Sequence, residues 1–513
     1  MPSSVLRRLV LVWVALLLQA LEGAEVNGTG LNRSQGLEPG GNVSDTVLSE
    51  LGFETDSDAE EVLQPSADLR FQYHKAAFPL DWHHDGLSFL LASVGLIIAA
   101  SGGIGGGGIL VPLFILVLGF RPKHAIALSN FTILGGSIAN TVVNVPKRHP
   151  RLKKGLIDWD LILIMEPLTI FGAVFGSLLS KVLPNVVLTV SLSILLGFMG
   201  QRTLFKGIRM WRDESRLMAV NREPSVEMLG IDGEPTASRK PALEAEAVDE
   251  DSYLELHSDG DFEGGFDRSE PSSGSRNASG QRHVGRKVAA LILCLAGTCA
   301  LTILKGGGSL RSPFGFPCGS VGYWLLYFVS VPWVLAFAFY FRHLLLAEFE
   351  EKMRKGHTFE EGEVKWDRRN TIKYPILCTL AGLMAGLFGV GGGIVKGPLM
   401  LEMGIIPAVA SASAAAMILF TSAAASTSFL LFGLLHTVYG AIFFTLGLIC
   451  TAAGQCIVGH FLKGNQRQSP IVLSIGLVIV LSSLFVAINT AVSSAGVPAS
   501  ELLRIHGVCS SDS

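Results

Sequence analysis

The stretch Gly103-Ile104-Gly105-Gly106-Gly107-Gly108-Ile109-Leu110-Val111-Pro112-Leu113 returns later in the chain as Gly389-Val390-Gly391-Gly392-Gly393-Ile394-Val395-Lys396-Gly397-Pro398-Leu399. The two copies align without a gap at an offset of 286 residues, and both lie inside apolar runs. Because glycine and proline interrupt helices, two hydrophobic segments are predicted to break at corresponding points. Paired interruptions of this kind indicate the binding site of a membrane transporter.

The composition is that of a membrane protein. The chain is 49% hydrophobic and 16% charged, and its mean hydropathy is +0.46. The net charge of −3 gives no support for a nucleic-acid partner. The seven cysteines are scattered without the spacing of metal ligands, so we interpret them as small buried hydrophobic residues. We expect neither a metal site nor a cofactor.

The first 24 residues have the pattern of a signal peptide. Arg7 and Arg8 precede an apolar core over residues 9–21, and an uncleaved anchor is the alternative. Residues 25–85 are polar and contain three glycosylation sequons, at Asn27, Asn32 and Asn42. We therefore predict a glycosylated, disordered segment in the lumen or outside the cell.

Apolar runs long enough to cross a bilayer start at residue 86, which predicts an all-α membrane protein built as a polytopic helical bundle. The predicted runs are 87–120, 124–145, 158–182, 184–204, 287–304, 320–341, 374–403, 407–432, 434–461 and 469–491. We group them as a first transmembrane repeat (86–204), two linking helices (287–341) and a second repeat (374–491), followed by a short tail (492–513).

Two hydrophilic insertions separate these groups. Residues 205–286 are rich in Ser, Gly, Asp and Glu, which predicts a disordered acidic loop. Residues 342–373 mix Lys and Arg with Glu. We interpret them as a solvated charged linker, with a short amphipathic helix as the alternative. Both insertions are expected in the cytoplasm.

Basic residues predict the orientation. The loop 147–154 contains five Lys and Arg residues and no acid, which places it in the cytoplasm. A single crossing by residues 87–120 from a lumenal N-terminus would put this loop outside, whereas a hairpin that breaks at the glycines and returns would put it inside. Each arm of that hairpin would have about twelve to fourteen residues, too few to span upright.

The hairpin topology implies two inverted repeats, each opening with a Gly-broken, re-entrant helix pair. Ten simple spans with flexible glycine helices are the alternative. In the hairpin, a helix that starts after the break would direct backbone N–H groups and its positive dipole end at an anion. Close helix packing through small residues is the competing explanation for the glycines. The substrate-binding residues predicted within the motifs are Gly103, Gly105, Gly106, Gly107, Gly108, Pro112, Gly389, Gly391, Gly392, Gly393, Lys396 and Pro398.

Charged residues inside the predicted spans are further candidates. Lys396 stands where the first copy has Leu110, and it would either attract an anion or extend its ammonium to the membrane surface. Glu166 precedes Pro167 in an apolar span and is the candidate for a coupling role, unless it faces water at a helix end.

Polar residues that follow the motifs are expected to line the pathway in part and to bond their own helices in part. We assign Ser129, Asn130 and Ser413 to the substrate site. Asn140, Asn144, Ser411, Thr421, Ser422 and Gln455 are the other polar residues of this group.

Several motifs together resemble the sulfite exporter TauE/SafE family of membrane transporters, in its eukaryotic, plant-type branch. They are the two glycine copies, the Gly119-Phe120-Arg121-Pro122 turn, the Asp158-Trp159-Asp160…Glu166-Pro167 stretch and Leu304-Lys305-Gly306…Cys318-Gly319-Ser320-Val321-Gly322-Tyr323-Trp324. The resemblance covers roughly residues 87–204 and 287–491. It implies alternating-access transport of small sulfur oxyanions or organosulfonates. Lys396 departs from the neutral residue that the resemblance implies.

Two other classes of function are compatible with a membrane chain. A membrane scaffold or trafficking receptor would recruit a cytosolic partner through the acidic loop 205–286. An intramembrane enzyme would need a His/Asp/Glu or Ser/His constellation that the chain lacks, so we expect no enzymatic activity. The predicted partners are a small inorganic or organic anion and the lipid bilayer, and the sequence carries no indication of an oligomeric state. A signal-led, multi-pass protein belongs in a secretory-pathway, plasma or vacuole-like membrane.

Overall fold

The structure is a computed structural model that describes residues 84–102, 105–149, 154–222, 274–307, 312–356, 363–464 and 469–494, together with Gly507. The predicted signal peptide, the three sequons and Gly103 lie outside these residues. The described residues form helices and connecting turns, with one isolated β-bridge between Arg148 and Gly155. The all-α prediction is confirmed.

The described residues form twelve helices, nine of which are long and apolar enough to cross a membrane. This confirms a polytopic membrane protein. The helices are α1 (His84–Gly102), α2 (Gly107–Leu116), α3 (Pro122–Asn144), α4 (Trp159–Val182), α5 (Asn185–Arg222), α6 (Gly274–Lys305), α7 (Val321–Arg354), α8 (Asn370–Phe388), α9 (Gly393–Glu402), α10 (Pro407–Leu431), α11 (Thr437–Gly464) and α12 (Ser469–Ser494).

Both glycine motifs break a helix, as predicted. Helix α1 ends and α2 begins within the first motif, and α8 and α9 are separated in the same way by the second. The prediction of arms of twelve to fourteen residues for the first hairpin is wrong, because α1 has 19 residues and α2 has 10, and α8 and α9 have the same two lengths. A ten-residue helix is about 15 Å long, half the thickness of the hydrocarbon core.

The short helix α2 turns back along α1. Gly106, just before α2, lies beside Leu96 and Ala99 of α1, and further along α2 the ring of Phe114 packs on Phe443, which also stacks on Phe89. The chain thus enters along α1, breaks, and returns along α2 before α3 begins.

Contacts with α11 show that α1 and α3 run in the same direction. Phe89 and Phe131, near the starts of α1 and α3, contact Phe443 and Phe444. Near the other ends, the backbone oxygen of Ala100 and the ammonium of Lys147 both contact the side chain of Gln455. The second half repeats this geometry, because α8 and α10 both run parallel to α4.

Helices α3 and α10 form the centre of the bundle. In their apolar spans 89% and 94% of the residues are buried, against 22% in α7. Around this centre the halves exchange partners, since α4 packs on α8 and α11 packs on α1. Glycines allow the close approach: Gly386 lies against the backbone of Ala173, and Gly454 lies against that of Ile97.

Helices α5 and α12, the last of each half, pair antiparallel at the side of the bundle. The hydroxyls of Ser193 and Ser483 each donate to the other's backbone oxygen, at 2.7 and 2.8 Å. Glu214, much later in α5, accepts hydrogen bonds from Ser469 at the start of α12. Helix α5 continues beyond the predicted span end at residue 204, because its Lys- and Arg-containing sequence favours a helix outside the apolar region as well.

Helices α6 and α7 pack on each other and on α4. The indole N–H of Trp333 donates to the Cys294 backbone oxygen at 3.2 Å. Lys287 joins all three helices, with its ammonium 2.7 Å from Asp160 and 2.9 Å from Glu348. Helix α7 extends to Arg354, so the stretch after residue 341 begins as helix, the alternative considered for that linker.

We expect Gly386→Ala to destabilise the protein, because the new methyl group would lie 2.1 Å from the Ala173 backbone oxygen. Overpacking of this kind costs about 1–3 kcal/mol or more. Gly285→Ala is the matched control, since nothing lies within 4 Å of a methyl group there. Thermal unfolding of the detergent-purified protein checks this, and equal Tm values for both variants would contradict the α4–α8 packing.

Candidate functional site at the two glycine breaks

The two breaks have the same backbone conformation. Gly105 and Gly106 have φ values of 82° and 74°, and Gly391 and Gly392 have 76° and 69°. These left-handed conformations are readily adopted by glycine and strained for other residues. Gly106 and Gly392 are also the N-cap residues of α2 and α9.

The two breaks meet each other inside the bundle. A methyl group on Gly107 would lie 2.5 Å from the backbone oxygen of Gly389 and 2.6 Å from the Cα of Val390. The hydroxyl of Ser129 on α3 donates to the same Gly389 oxygen at 2.8 Å. Three segments therefore converge at one point, and the contact of the first two requires glycine.

One pair of central isoleucines borders both breaks. A methyl group on Gly105 would lie 3.3 Å from Ile418 of α10, and one on Gly391 would lie 3.2 Å from Ile133 of α3. Each of these positions also approaches the other isoleucine. The breaks thus occupy equivalent environments on the central helices.

Both short helices begin at the breaks, α2 at Gly107 and α9 at Gly393. The first backbone N–H groups of a helix have no partner within it, and they carry the positive end of the helix dipole. Among the described residues, no side-chain hydrogen bond caps the N-terminus of α2 or α9.

A small internal cavity of about 20 Å³ lies beside the first break. This is room for about one or two water molecules. Its polar lining comes from Ser137 and Asn140 of α3 and Thr451 of α11, and the remaining lining is Leu96, Ala99, Ala100, Gly105, Ile133, Gly136, Ala415 and Ile418. A cavity of this size has no room for a four-atom oxyanion.

Lys396 and Glu166 form an ion pair beside the second break. The Lys396 Nζ lies 3.1 Å from Glu166 Oε2 and 2.7 Å from the Thr421 hydroxyl oxygen, which lies 2.6 Å from Glu166 Oε1. Both charged side chains are fully buried. Lys396 therefore does not extend to a membrane surface, and Glu166 does not face water.

The structure brings most of the predicted site residues together. Gly105 to Gly107, Gly389 and Gly391 to Gly393 form the breaks, with Ser129 and the ion pair beside them. The amide of Asn130 donates to the backbone oxygen of Ala385 on α8 at 3.4 Å. Gly108 and Pro112 are buried within α2.

Two predicted residues lie elsewhere. The hydroxyl of Ser413 accepts a hydrogen bond from the Asp158 backbone N–H at the start of α4. Pro398 is exposed on α9.

Thr451, Ile133 and Ile418 belong to the site and were not among the predicted residues. Extending the repeat past the motifs would have identified the two isoleucines. The offset is 285 residues after the Gly119 turn, which pairs Ile133 with Ile418.

The Lys305 motif lies apart from the breaks. Its ammonium is buried among the rings of Tyr323, Tyr327 and Phe432, at 4.9 to 5.4 Å from their centres. Cation–π contact with aromatic rings stabilises a charge in this position. The motif therefore joins the end of α6 to the start of α7 and the end of α10.

A helical bundle whose halves each contain an interrupted helix pair, with the interruptions meeting near its centre, has the architecture of a membrane transporter. The family model described as Sulfite exporter TauE/SafE matches residues 87–314 and 288–486. The chain belongs to this family, and it is a multi-pass membrane transporter.

Relatives from Arabidopsis thaliana are similar to this chain over most of its length. Sulfite exporter TauE/SafE family protein 5 is 27% identical over 400 residues, which cover 77% of this chain and 80% of the relative. Family protein 2 is 29% identical over 404 residues, with the same two coverages. Family protein 3 is 28% identical over 400 residues, covering 78% of this chain and 77% of the relative. No solved structure matches this chain significantly.

We expect Gly107→Ala to disrupt the meeting of the two breaks, because its methyl group has no space beside Gly389. Gly397→Ala, in the other short helix, is the control, since nothing lies within 4 Å of a methyl group there. Gly107→Ala should lower the stability by about 1–3 kcal/mol or more, as overpacking does, while Gly397→Ala should leave it unchanged or raise it. Tm values of the purified variants check this, and a fully stable Gly107→Ala protein would contradict the contact.

Proposed function

We propose that this protein transports small anions of the sulfite and organosulfonate type by alternating access. The observation that carries the proposal is the meeting of the two helix breaks inside a bundle of membrane-spanning helices, where each break is followed by a helix N-terminus without a side-chain cap. Backbone N–H groups there would bind the oxygen atoms of an anion without a cationic side chain. The names of the Arabidopsis relatives, which contain the words sulfite exporter, support the choice of a sulfur oxyanion.

The two halves act, in this proposal, as inverted repeats. Support comes from equivalent helices that run in opposite directions, α5 against α12 and α3 against α10. The returning helices α2 and α9 support re-entrant hairpins, because each pair brings the chain back to the side from which it entered. Inverted halves can exchange conformations, and that exchange opens a central site to one side of a membrane and then to the other.

The small size of the cavity beside Gly105 supports a cycle in which the central site widens to admit a substrate. An anion of four or more heavy atoms needs more room than about 20 Å³. Ile133 and Ile418 border both breaks, so in this proposal their helices move apart to admit a substrate. Water is then excluded again when the helices close, which strengthens the hydrogen bonds to the anion.

The proposed orientation of the protein in the membrane is based on the positive charge of the loop 147–154. Residues 147–154 lie in the cytoplasm, and residues 25–85 with their three sequons lie in the lumen or outside the cell. We place the protein in the secretory pathway, at the plasma membrane or in a vacuole-like membrane.

Uptake of radiolabelled sulfite into proteoliposomes tests the function, with unlabelled sulfate, thiosulfate and taurine as competitors. We expect uptake that unlabelled sulfite or a close analogue suppresses. Gly391→Val should abolish this uptake, because a β-branched residue is strained at φ 76° and its side chain would fill the space beside Ile133 at the second break. Gly397→Ala should transport normally.

Deletion of residues 223–273 separates transport from a scaffolding role. This deletion should leave the flux unchanged, because the described residues that form and border the breaks all lie outside the deleted segment. Normal flux through folded Gly391→Val would contradict the proposed binding site. A wild-type protein that takes up none of these sulfur compounds would contradict the proposed substrate class.

A further inference from the structure

The repeat relates the cavity beside the first break to the ion pair beside the second. The offset is 286 residues up to the glycine breaks and 285 after the Gly119 turn. Applied to the residues around the cavity, the offset pairs Gly105 with Gly391 and Gly136 with Thr421. One of the three groups in the ion-pair cluster, the Thr421 hydroxyl, therefore stands where a cavity-lining glycine stands in the other half.

The side chain of Lys396 fills the equivalent space in the second half. Its Cε lies 3.7 Å from the position of a methyl group on Gly392, and its ammonium reaches both Glu166 and Thr421. The first copy has Leu110 at this position, which carries no charge to neutralise. One half thus contains a small polar cavity, and the other contains a carboxylate with a cation on a covalent tether.

The groups around the Lys396 ammonium are oxygen atoms. They are the two carboxylate oxygens of Glu166 and the hydroxyl of Thr421. Thr421 has one hydroxyl hydrogen to donate, to Glu166 or to the Met417 backbone oxygen, and it accepts from Lys396. Buried carboxylates inside membrane proteins mark ion pathways and proton relays, and the oxygen atoms around the Lys396 Nζ are ligands suited to Na⁺ or a proton.

We propose that Glu166 and Thr421 form a site for a monovalent cation, and that the Lys396 ammonium occupies this site permanently. The negative charge of Glu166 is then balanced by the Lys396 ammonium at every stage of a transport cycle, and no free cation has to enter or leave the site. This consequence for transport rests on the proposed function, since it concerns the coupling of the same site. Anion uptake by the wild-type protein should therefore be the same in sodium and in choline buffers.

Removing the tether should uncover the cation site. In Lys396→Met the carboxylate of Glu166 remains buried without its partner, and a lone buried charge is strongly destabilising. Sodium binding or protonation would restore neutrality. We expect the Tm of Lys396→Met to fall in choline gluconate at mildly alkaline pH, and to rise again when sodium replaces choline or when the pH is lowered.

Three matched proteins complete the experiment. The wild-type Tm should not respond to the exchange of sodium for choline, because its site is occupied. Leu110→Met places the same side chain at the equivalent position of the first half and should behave like the wild type. The double variant Lys396→Met/Glu166→Gln removes both charges, so it should recover stability and lose the response to sodium and to pH.

Each outcome decides the proposal. A Lys396→Met protein that is stable in choline, or that stays destabilised in sodium and at low pH while the double variant folds, overturns it. A sodium-dependent Tm of the wild type also overturns it. These Tm measurements do not require transport. If the Tm of Lys396→Met depends on the cation but the wild-type protein takes up no sulfur oxyanion, the proposed function is refuted and the cation site stands.

Discussion

The two glycine breaks contact each other inside an apolar bundle, and the packing of the other helices depends on this contact. At membrane depth irregular backbone is tolerated only where protein or a water-filled cavity covers it. Gly107 and Gly389 satisfy that condition by covering each other, at a separation that leaves no room for a methyl group. The exchange of partners around them, with α4 on α8 and α11 on α1, holds the two hairpins face to face.

The two halves have equivalent backbone conformations at the breaks and differ in the charge of the side chains beside them. Both breaks have matching φ values and border Ile133 and Ile418. The side chains differ, because Lys396 stands where the other half has Leu110, and Thr421 stands where it has Gly136. One half of an architecture built from two similar units can thus contain a small polar cavity, while the other contains a buried ion pair.

The sequence predicts structural features that depend on neighbouring residues and misses contacts between residues far apart in the chain. The breaks were predictable because glycine acts on the backbone where it stands, and the membrane spans followed from apolar length. The unequal arms were not, since nothing in the pattern shows how far α1 and α8 continue before the glycines. Lys396 and Glu166 were each identified as candidates, but their pairing joins α9 to α4 across 230 positions of sequence, and the sequence pattern does not show that these helices meet.

A buried ion pair is weak evidence for stability, because the cost of removing two charges from water offsets much of their attraction. The pair instead constrains movement. Glu166 belongs to the first half, whereas Lys396 and Thr421 belong to the second, so separating them would expose two unpaired charges inside the bundle. That separation costs about 3–5 kcal/mol by comparison with broken buried pairs. Any opening of the central site should therefore keep α4, α9 and α10 together and part them from α3.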